Sequence, residues 1–374
     1  MKLPAKRAIP ALAQGVIDCD IHPAVPGLHV LLPYMDDYWR EEMVARGINE
    51  LNLELTSYPL AAPLCARPDW RPANTVPGAD FEMLRRQALD HFDTRFAICN
   101  CLHAAQVVHN EYMAAALCRA VNDWVAREWL DRDTRLRASI VVSVENPDTA
   151  AEEIERCAAD RRFVQVLLLV MGEMPLGRRC FWPIYRAAER HELAVGIHAG
   201  SSFRHAPTSS GWPSYFLEDY VVNSQAFASQ LLSLISEGVF NQFPGLKVVL
   251  IESGVTWLPG FIWRANKTWR GVRSEVPWLK QSPGDIIREH VRMTIQPLDM
   301  PPQAAQLETV MEQIGSDRML LFSTDYPHWH FDGDDVLPDA LSGRLISRIA
   351  FDNALETYPR LNGGVEVRAG AAAP

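Results

Sequence analysis

Short apolar runs alternate with stretches in which apolar side chains return every three or four positions, from Val16 to Thr324. The runs predict strands at Val16–Asp20, Arg95–Cys99, Arg137–Val144, Phe163–Val170, Ala194–His198, Lys247–Glu252, Val291–Gln296 and Met319–Thr324. The three-to-four spacing predicts helices over Phe81–Phe92, Asn110–Leu130, Asp148–Ala159, Trp182–His191, Val221–Ser236, Trp257–Trp269 and Ala304–Ile314. An irregular segment is expected between Trp269 and Val291. In Ile140-Val141-Val142, Val166-Leu167-Leu168-Leu169 and Val248-Val249-Leu250-Ile251 the apolar residues are consecutive, as in strands covered on both faces. Strands alternating with helices imply a parallel sheet, and eight of them predict an α/β fold closed as a (β/α)8 barrel. An open doubly wound sheet fits the alternation too, but no glycine-rich phosphate turn follows the first strand.

The rhythm is interrupted after the first strand. From His29 to Asp80 there is no strong periodicity, and prolines recur at Pro33, Pro59, Pro63, Pro68, Pro72 and Pro77. That is too long for a plain loop, and an inserted cap with short helices is expected there, carrying Trp39, Tyr58 and Trp70. The residues from Asn362 to Pro374 are rich in glycine and alanine, so a flexible tail is expected. The 374 residues are read as one barrel domain, 1–374, with the cap at 29–80.

Charge and composition narrow the class. A formal net charge of −10 argues against a nucleic-acid partner. The stretch Met1–Gln14, broken by Pro4 and Pro10, lacks the apolar core of a secretory signal, and no run of 18 apolar residues suggests a membrane span. Seven cysteines without regular spacing, all before residue 181, suggest reduced thiols and a cytoplasmic protein. Trp257, Trp263, Trp269 and Trp278 offer either a surface for a homodimer or packing around the barrel.

A barrel of this kind carries its chemistry at the carboxyl ends of its strands. The first end offers Asp20 and His22, two residues apart and so on one face of an extended backbone. The fifth ends in His198, the sixth in Glu252, the seventh in Gln296, and Asp325 and His328 follow the eighth. Carboxylates and imidazoles converging on one rim can chelate a divalent cation. Each also has a local explanation: His198 as a core histidine, Asp325 as a turn former before Tyr326-Pro327, Glu252 as a helix cap or a partner of Arg264.

The set Ile17-Asp18-Cys19-Asp20-Ile21-His22, Ile197-His198-Ala199-Gly200, Gly254-Val255-Thr256-Trp257-Leu258-Pro259 and Ser323-Thr324-Asp325-Tyr326-Pro327-His328 resembles the amidohydrolase superfamily. The resemblance is to the branch that also contains aminocarboxymuconate-semialdehyde decarboxylase. It implies one divalent metal ion at the barrel mouth, zinc first, with manganese or iron as alternatives. It also implies Asp20, His22, His198 and Asp325 as ligands and Asp325 as proton shuttle. Two departures stand out. The first-strand pair is Asp-x-His where the superfamily usually has His-x-His, and Glu252 stands where the branch's decarboxylases have a histidine. The fourth strand end, Val170-Met171-Gly172, offers no residue to bridge a second metal.

The activity expected on these grounds is hydrolysis. A metal-activated water attacks an ester, lactone, thioester, amide or C–C bond next to a carbonyl of a small organic substrate. Asp325 then takes and returns the water's proton, His328 orients Asp325 or stabilises the oxyanion, and Glu252 orients the water or bonds the substrate. Arg204 and His205 are expected to hold an anionic group of the substrate, and Gln296 to offer a pocket hydrogen bond. The alternative is a non-oxidative decarboxylase of an aromatic or unsaturated carboxylic acid, weakened by the missing histidine. A non-catalytic barrel is the third reading.

Overall fold

The computed structural model describes residues 15–49, 66–200, 205–301, 303–328, 337 and 341–364. Eight parallel strands follow one another in chain order around a barrel: β1 Val16–Ile21, β2 Thr94–Cys99, β3 Leu136–Val141, β4 Phe163–Leu169, β5 Ala194–His198, β6 Val248–Ile251, β7 Val291–Thr294 and β8 Leu320–Leu321. Helices fill the crossovers, among them Glu111–Val125, Pro147–Cys157, Trp182–Arg190, Phe216–Ser236, Leu258–Val272 and Ala304–Ile314. The consecutive apolar runs are buried on both sides, with Val166, Leu167, Val248, Val249 and Leu250 fully enclosed.

The seam between β8 and β1 is closed by hydrogen bonds beyond the short last strand. Cys19 N–H donates to Phe322 O (2.9 Å), His22 N–H to Tyr326 O (2.8 Å) and Asp325 N–H to Asp20 O (3.0 Å). Asp18 adds a side-chain clamp: its carboxyl accepts from Thr324 N–H (3.1 Å), Thr324 O–H (2.6 Å) and Asp20 N–H (3.2 Å). Burial pushes the Asp18 carboxyl up to about 7 against the pull of these three donors. Asp18→Asn, which keeps an acceptor and can donate to the Thr324 hydroxyl, should cost about 1 kcal/mol in a urea melt. Asp18→Leu strands two buried N–H groups and should cost about 3 kcal/mol or more. Equal losses would show that the clamp does not hold the seam.

Several boundaries differ from the pattern-based expectation. The segment from Met319 to Thr324 pairs as a strand only at Leu320–Leu321, because Phe322 N–H turns outward to Ile349 O (2.9 Å) and Thr324 is held by Asp18. β3, β6 and β7 stop at Val141, Ile251 and Thr294, short of the predicted Val144, Glu252 and Gln296. The helix predicted from Val221 starts at Phe216, since the Glu218 carboxylate accepts from Ser214 N–H (2.8 Å) and Tyr215 N–H (3.0 Å) and caps an earlier turn. The expected irregular segment contains the helix Pro283–His290, begun by Ser282, whose hydroxyl accepts from Asp285 N–H. Helical turns at Gly343–Ser347 and Asn353–Thr357, joined by a π segment, were not read from the pattern.

In the interrupted region short helices do occur, at Leu28–Val30, Leu32–Tyr34, Asp37–Ala45 and Pro68–Trp70, while residues 50–65, including Tyr58, lie outside the described residues. Trp70 is buried against Tyr326 (ring centroids 4.8 Å apart), which brings this segment onto the barrel mouth. The turn Pro359–Gly364 runs into the expected tail, of which 365–374 lie outside the described residues. Among the described residues no helix is long and apolar enough to cross a membrane. The six described cysteines are free thiols.

Candidate metal centre and active site

Four of the predicted ligands meet. One donor atom from each of Asp20, His22, His198 and Asp325 lies within 4.8 Å of the others, and all four residues are buried. Period-two geometry brings Asp20 and His22 to the same side of β1, with His22 Nε2 3.3 Å from Asp20 Oδ1. His198 comes from the last position of β5, and its Nε2 lies 3.7 Å from both Asp20 Oδ2 and Glu252 Oε2. Asp325 Oδ1 accepts from His22 Nε2 at 2.7 Å and from His328 Nδ1 at 3.0 Å. Glu252, Asp325 and His328 form an overlapping group with the same spacing.

Both ligand imidazoles are held by a backbone carbonyl. His22 Nδ1–H donates to Asn100 O (2.8 Å) and His198 Nδ1–H to Ala199 O (2.6 Å). A carbonyl only accepts, so Nδ1 carries a proton in each ring and Nε2 faces the cluster, where, once unprotonated, its lone pair is available to a metal. Asp20 Oδ2 and His198 Nε2 are buried without a hydrogen-bond partner. Two such orphans facing each other are costly unless a cation lies between them. Two carboxylate oxygens and two imidazole nitrogens are a donor set that zinc or manganese accepts. The residues fit the ion that the strand ends suggested.

The charges are strongly coupled. Burial raises Asp20, but the His22 and His198 imidazoles outweigh it and hold this carboxyl well below the usual range. Burial pulls His22 down, yet Asp20 and Asp325 carry it well above an ordinary imidazole, and Asp20 with Glu252 raises His198 in the same way. The surroundings thus favour positive charge at the centre of the cluster.

Glu252 and Asp325 are both in the left-handed region, at φ 61° and 55°. Non-glycine residues there carry about 1 kcal/mol or more of strain, which persists where the surroundings fix them. Glu252 N–H donates to Thr294 Oγ1 (3.0 Å), and its carboxylate accepts from Tyr220 O–H (3.4 Å). The turn at each acid aims its carboxylate at the cluster. His328 is part-buried, with its Nδ1 3.0 Å from Asp325 Oδ1 and its ring against His22 (centroids 4.6 Å apart).

Arg204 lies outside the described residues, and half-buried His205 is not among the grouped donors. Gln296 is buried, with its N–H donating to Ser323 Oγ (3.1 Å). Two contributors went unnoticed in the sequence. Asn100, directly after the apolar run Phe96–Cys99, donates from Nδ2 to Asp20 Oδ1 (2.8 Å) and was legible as the second strand end. Tyr220 comes from the first turns of a helix after a long loop and left no sequence signal.

The amidohydrolase family model matches residues 17–360. The chain belongs to the amidohydrolase family. A gamma-resorcylate decarboxylase from Polaromonas sp. is 25% identical over 280 residues, which is 70% of this chain and 84% of that protein. The fold matches a 2,6-dihydroxybenzoate decarboxylase from Rhizobium with a TM-score of 0.68 at 21% identity, covering 94% of this chain and 100% of the other. It also matches a 5-carboxyvanillate decarboxylase from Novosphingobium aromaticivorans complexed with manganese and 4-hydroxy-3-methoxy-5-nitrobenzoic acid. That TM-score is 0.68 at 18% identity, over 92% of this chain and 97% of the other. The two solved structures show the fold, and the Polaromonas relative is named a decarboxylase, not a hydrolase.

Proposed function

We propose that this amidohydrolase is a metal-dependent, non-oxidative decarboxylase of a hydroxylated aromatic carboxylic acid. The observation that carries the choice over hydrolysis is the likeness to a gamma-resorcylate decarboxylase along 84% of that protein's length. Asp20, His22, His198 and Asp325 would hold one divalent ion, with manganese preferred because half the donors are hard carboxylate oxygens. When bound, the ion supplies positive charge that draws the substrate's oxygen atoms into place and stabilises negative charge on them.

The chain's own residues do the rest. Three carboxyls, Asp20, Asp325 and Glu252, surround the site, so a proton held by one of them lowers the negative charge that an arriving carboxylate meets. Asp325 is that group, because His328 touches it and is 19% exposed, giving a route to solvent. Asp325 delivers its proton to the ring carbon that bears the carboxylate. The C–C bond then breaks, its electron pair restores the ring, carbon dioxide leaves, and His328 returns a proton to Asp325. Glu252, steadied by Tyr220, accepts a hydrogen bond from a ring hydroxyl.

The test is to supply manganese-loaded protein with hydroxylated benzoates in D2O, and with esters and lactones in parallel. One carbon dioxide per phenol, one deuterium at the vacated carbon, and loss of both on chelation are expected. Ester or lactone cleavage without carbon dioxide would return the site to hydrolysis. Glu252→Gln should keep its metal and lose roughly ten- to hundredfold in kcat/KM, the size of one charged hydrogen bond. A wild-type kcat/KM in that variant would remove Glu252 from substrate binding.

A further inference from the structure

Below the metal donors the barrel lumen holds a line of polar side chains, where such a core usually packs branched apolar ones. Asn100, Ser139, Gln165 and Tyr358 are each at most 1% exposed and come from the end of β2, from β3, from β4 and from the end of the helix Asn353–Thr357. Tyr358 O–H donates to Gln165 Oε1 (3.0 Å), and Gln165 Nε2–H to Ser139 Oγ (2.8 Å). Ser139 O–H donates to Asn100 Oδ1 (2.6 Å), and Asn100 Nδ2–H to Asp20 Oδ1 (2.8 Å). An ionised carboxylate only accepts, so Asn100 must turn its NH2 to Asp20 and its oxygen to Ser139. Each later bond then has its direction set, and all four donors point toward Asp20, so their dipoles add.

The backbone makes room for this line. A Cβ on Gly196 of β5 would lie 2.6 Å from Gln165 Cδ and Nε2, so the amide crosses the lumen only because that strand position has no side chain. Asn100 acts twice, since its carbonyl also accepts from His22 Nδ1. At the other end, Tyr358 belongs to the segment that closes the barrel's base, where Arg360 donates to Ala158 O (2.6 Å).

We propose that Asn100, Ser139, Gln165 and Tyr358 form a positioning relay that occupies Asp20 Oδ1 and so makes Asp20 a one-oxygen metal ligand through Oδ2. The relay rests on the metal-site reading above. It touches neither ion nor substrate; it acts through Asp20, and it ties the carboxyl-terminal helix to the metal site.

The experiment uses full-length apoprotein, wild type beside Asn100→Ala, Tyr358→Phe and His198→Ala. The manganese dissociation constant is read by chelator competition, the apoprotein melt by circular dichroism, and the visible spectrum after cobalt substitution. Asn100→Ala should weaken manganese binding roughly ten- to hundredfold, as loss of a partner behind a ligand does. It should also change the cobalt spectrum as Asp20 gains freedom to bind through both oxygens. Tyr358→Phe, which keeps its shape, should weaken binding about threefold, the size of one neutral hydrogen bond. Wild-type constants and spectra in both variants, whatever stability they lose, would overturn the relay and leave a polar plug. Should Asn100→Ala not fold, a wild-type constant in Tyr358→Phe overturns it alone. Manganese binding in His198→Ala as tight as in wild type would instead overturn the site assignment, and the relay with it.

Discussion

Asp325→Asn is expected to leave about one metal ion per chain and to lower decarboxylation by about a thousandfold, the middle of the range for a positioned proton donor. Asparagine suits this position because it tolerates the left-handed φ of 55° better than other residues. The main-chain bond from Asp325 N–H to Asp20 O is also unaffected. An amide oxygen can still face the cluster and accept from His328, but the amide has no acidic proton to give the ring carbon. Elemental analysis and single-turnover kinetics on the same preparation check both halves. Turnover within tenfold of wild type would move the proton donor elsewhere, with Glu252 next in line. Loss of the metal would show that Asp325 serves the ion more than the proton.

His198→Ala should remove the metal and reduce activity to background, because the donor that ends β5 is gone while Asp20 Oδ2 stays buried. The same histidine makes binding pH-dependent. In the apoprotein, Asp20 and its neighbours raise both His22 and His198 above the usual imidazole value. The stability these imidazolium–carboxylate contacts contribute is fully present below about pH 6.5 and is lost as pH rises through the raised values. The metal needs both rings neutral, so it competes with up to two protons and binds more tightly as pH rises. The stabilisation that manganese adds to the apoprotein melt should therefore grow from pH 6 to pH 8 in wild type and be absent in His198→Ala. Metal content unchanged down to roughly pH 4, well below the free imidazole value, would sink the ligand assignment.

The sequence by itself determined the barrel and the places where ligands could stand. Strand and helix periods are local, so buried runs such as Val166–Leu169 and Val248–Ile251 announce parallel strands without reference to the rest of the chain. The Asp20-x-His22 pair is equally local, since two residues on one extended strand must share a face. Tertiary structure alone decided which polar groups meet across long separations. Asn100 reaches Asp20 and His22 from some eighty residues away, Thr324 reaches Asp18 across 306, and Tyr358 reaches Gln165 across 193. Such contacts depend on strand register and barrel closure, which carry no mark in a hydrophobic pattern. The same reason hid the brevity of β8, because Phe322 and Thr324 look like strand residues until Ile349 and Asp18 claim their hydrogen bonds. The choice of reaction lies beyond both levels of pattern. Two carboxylates and two imidazoles around one cation can serve a water or a carbon acid equally well, and the likeness to decarboxylases tips the proposal.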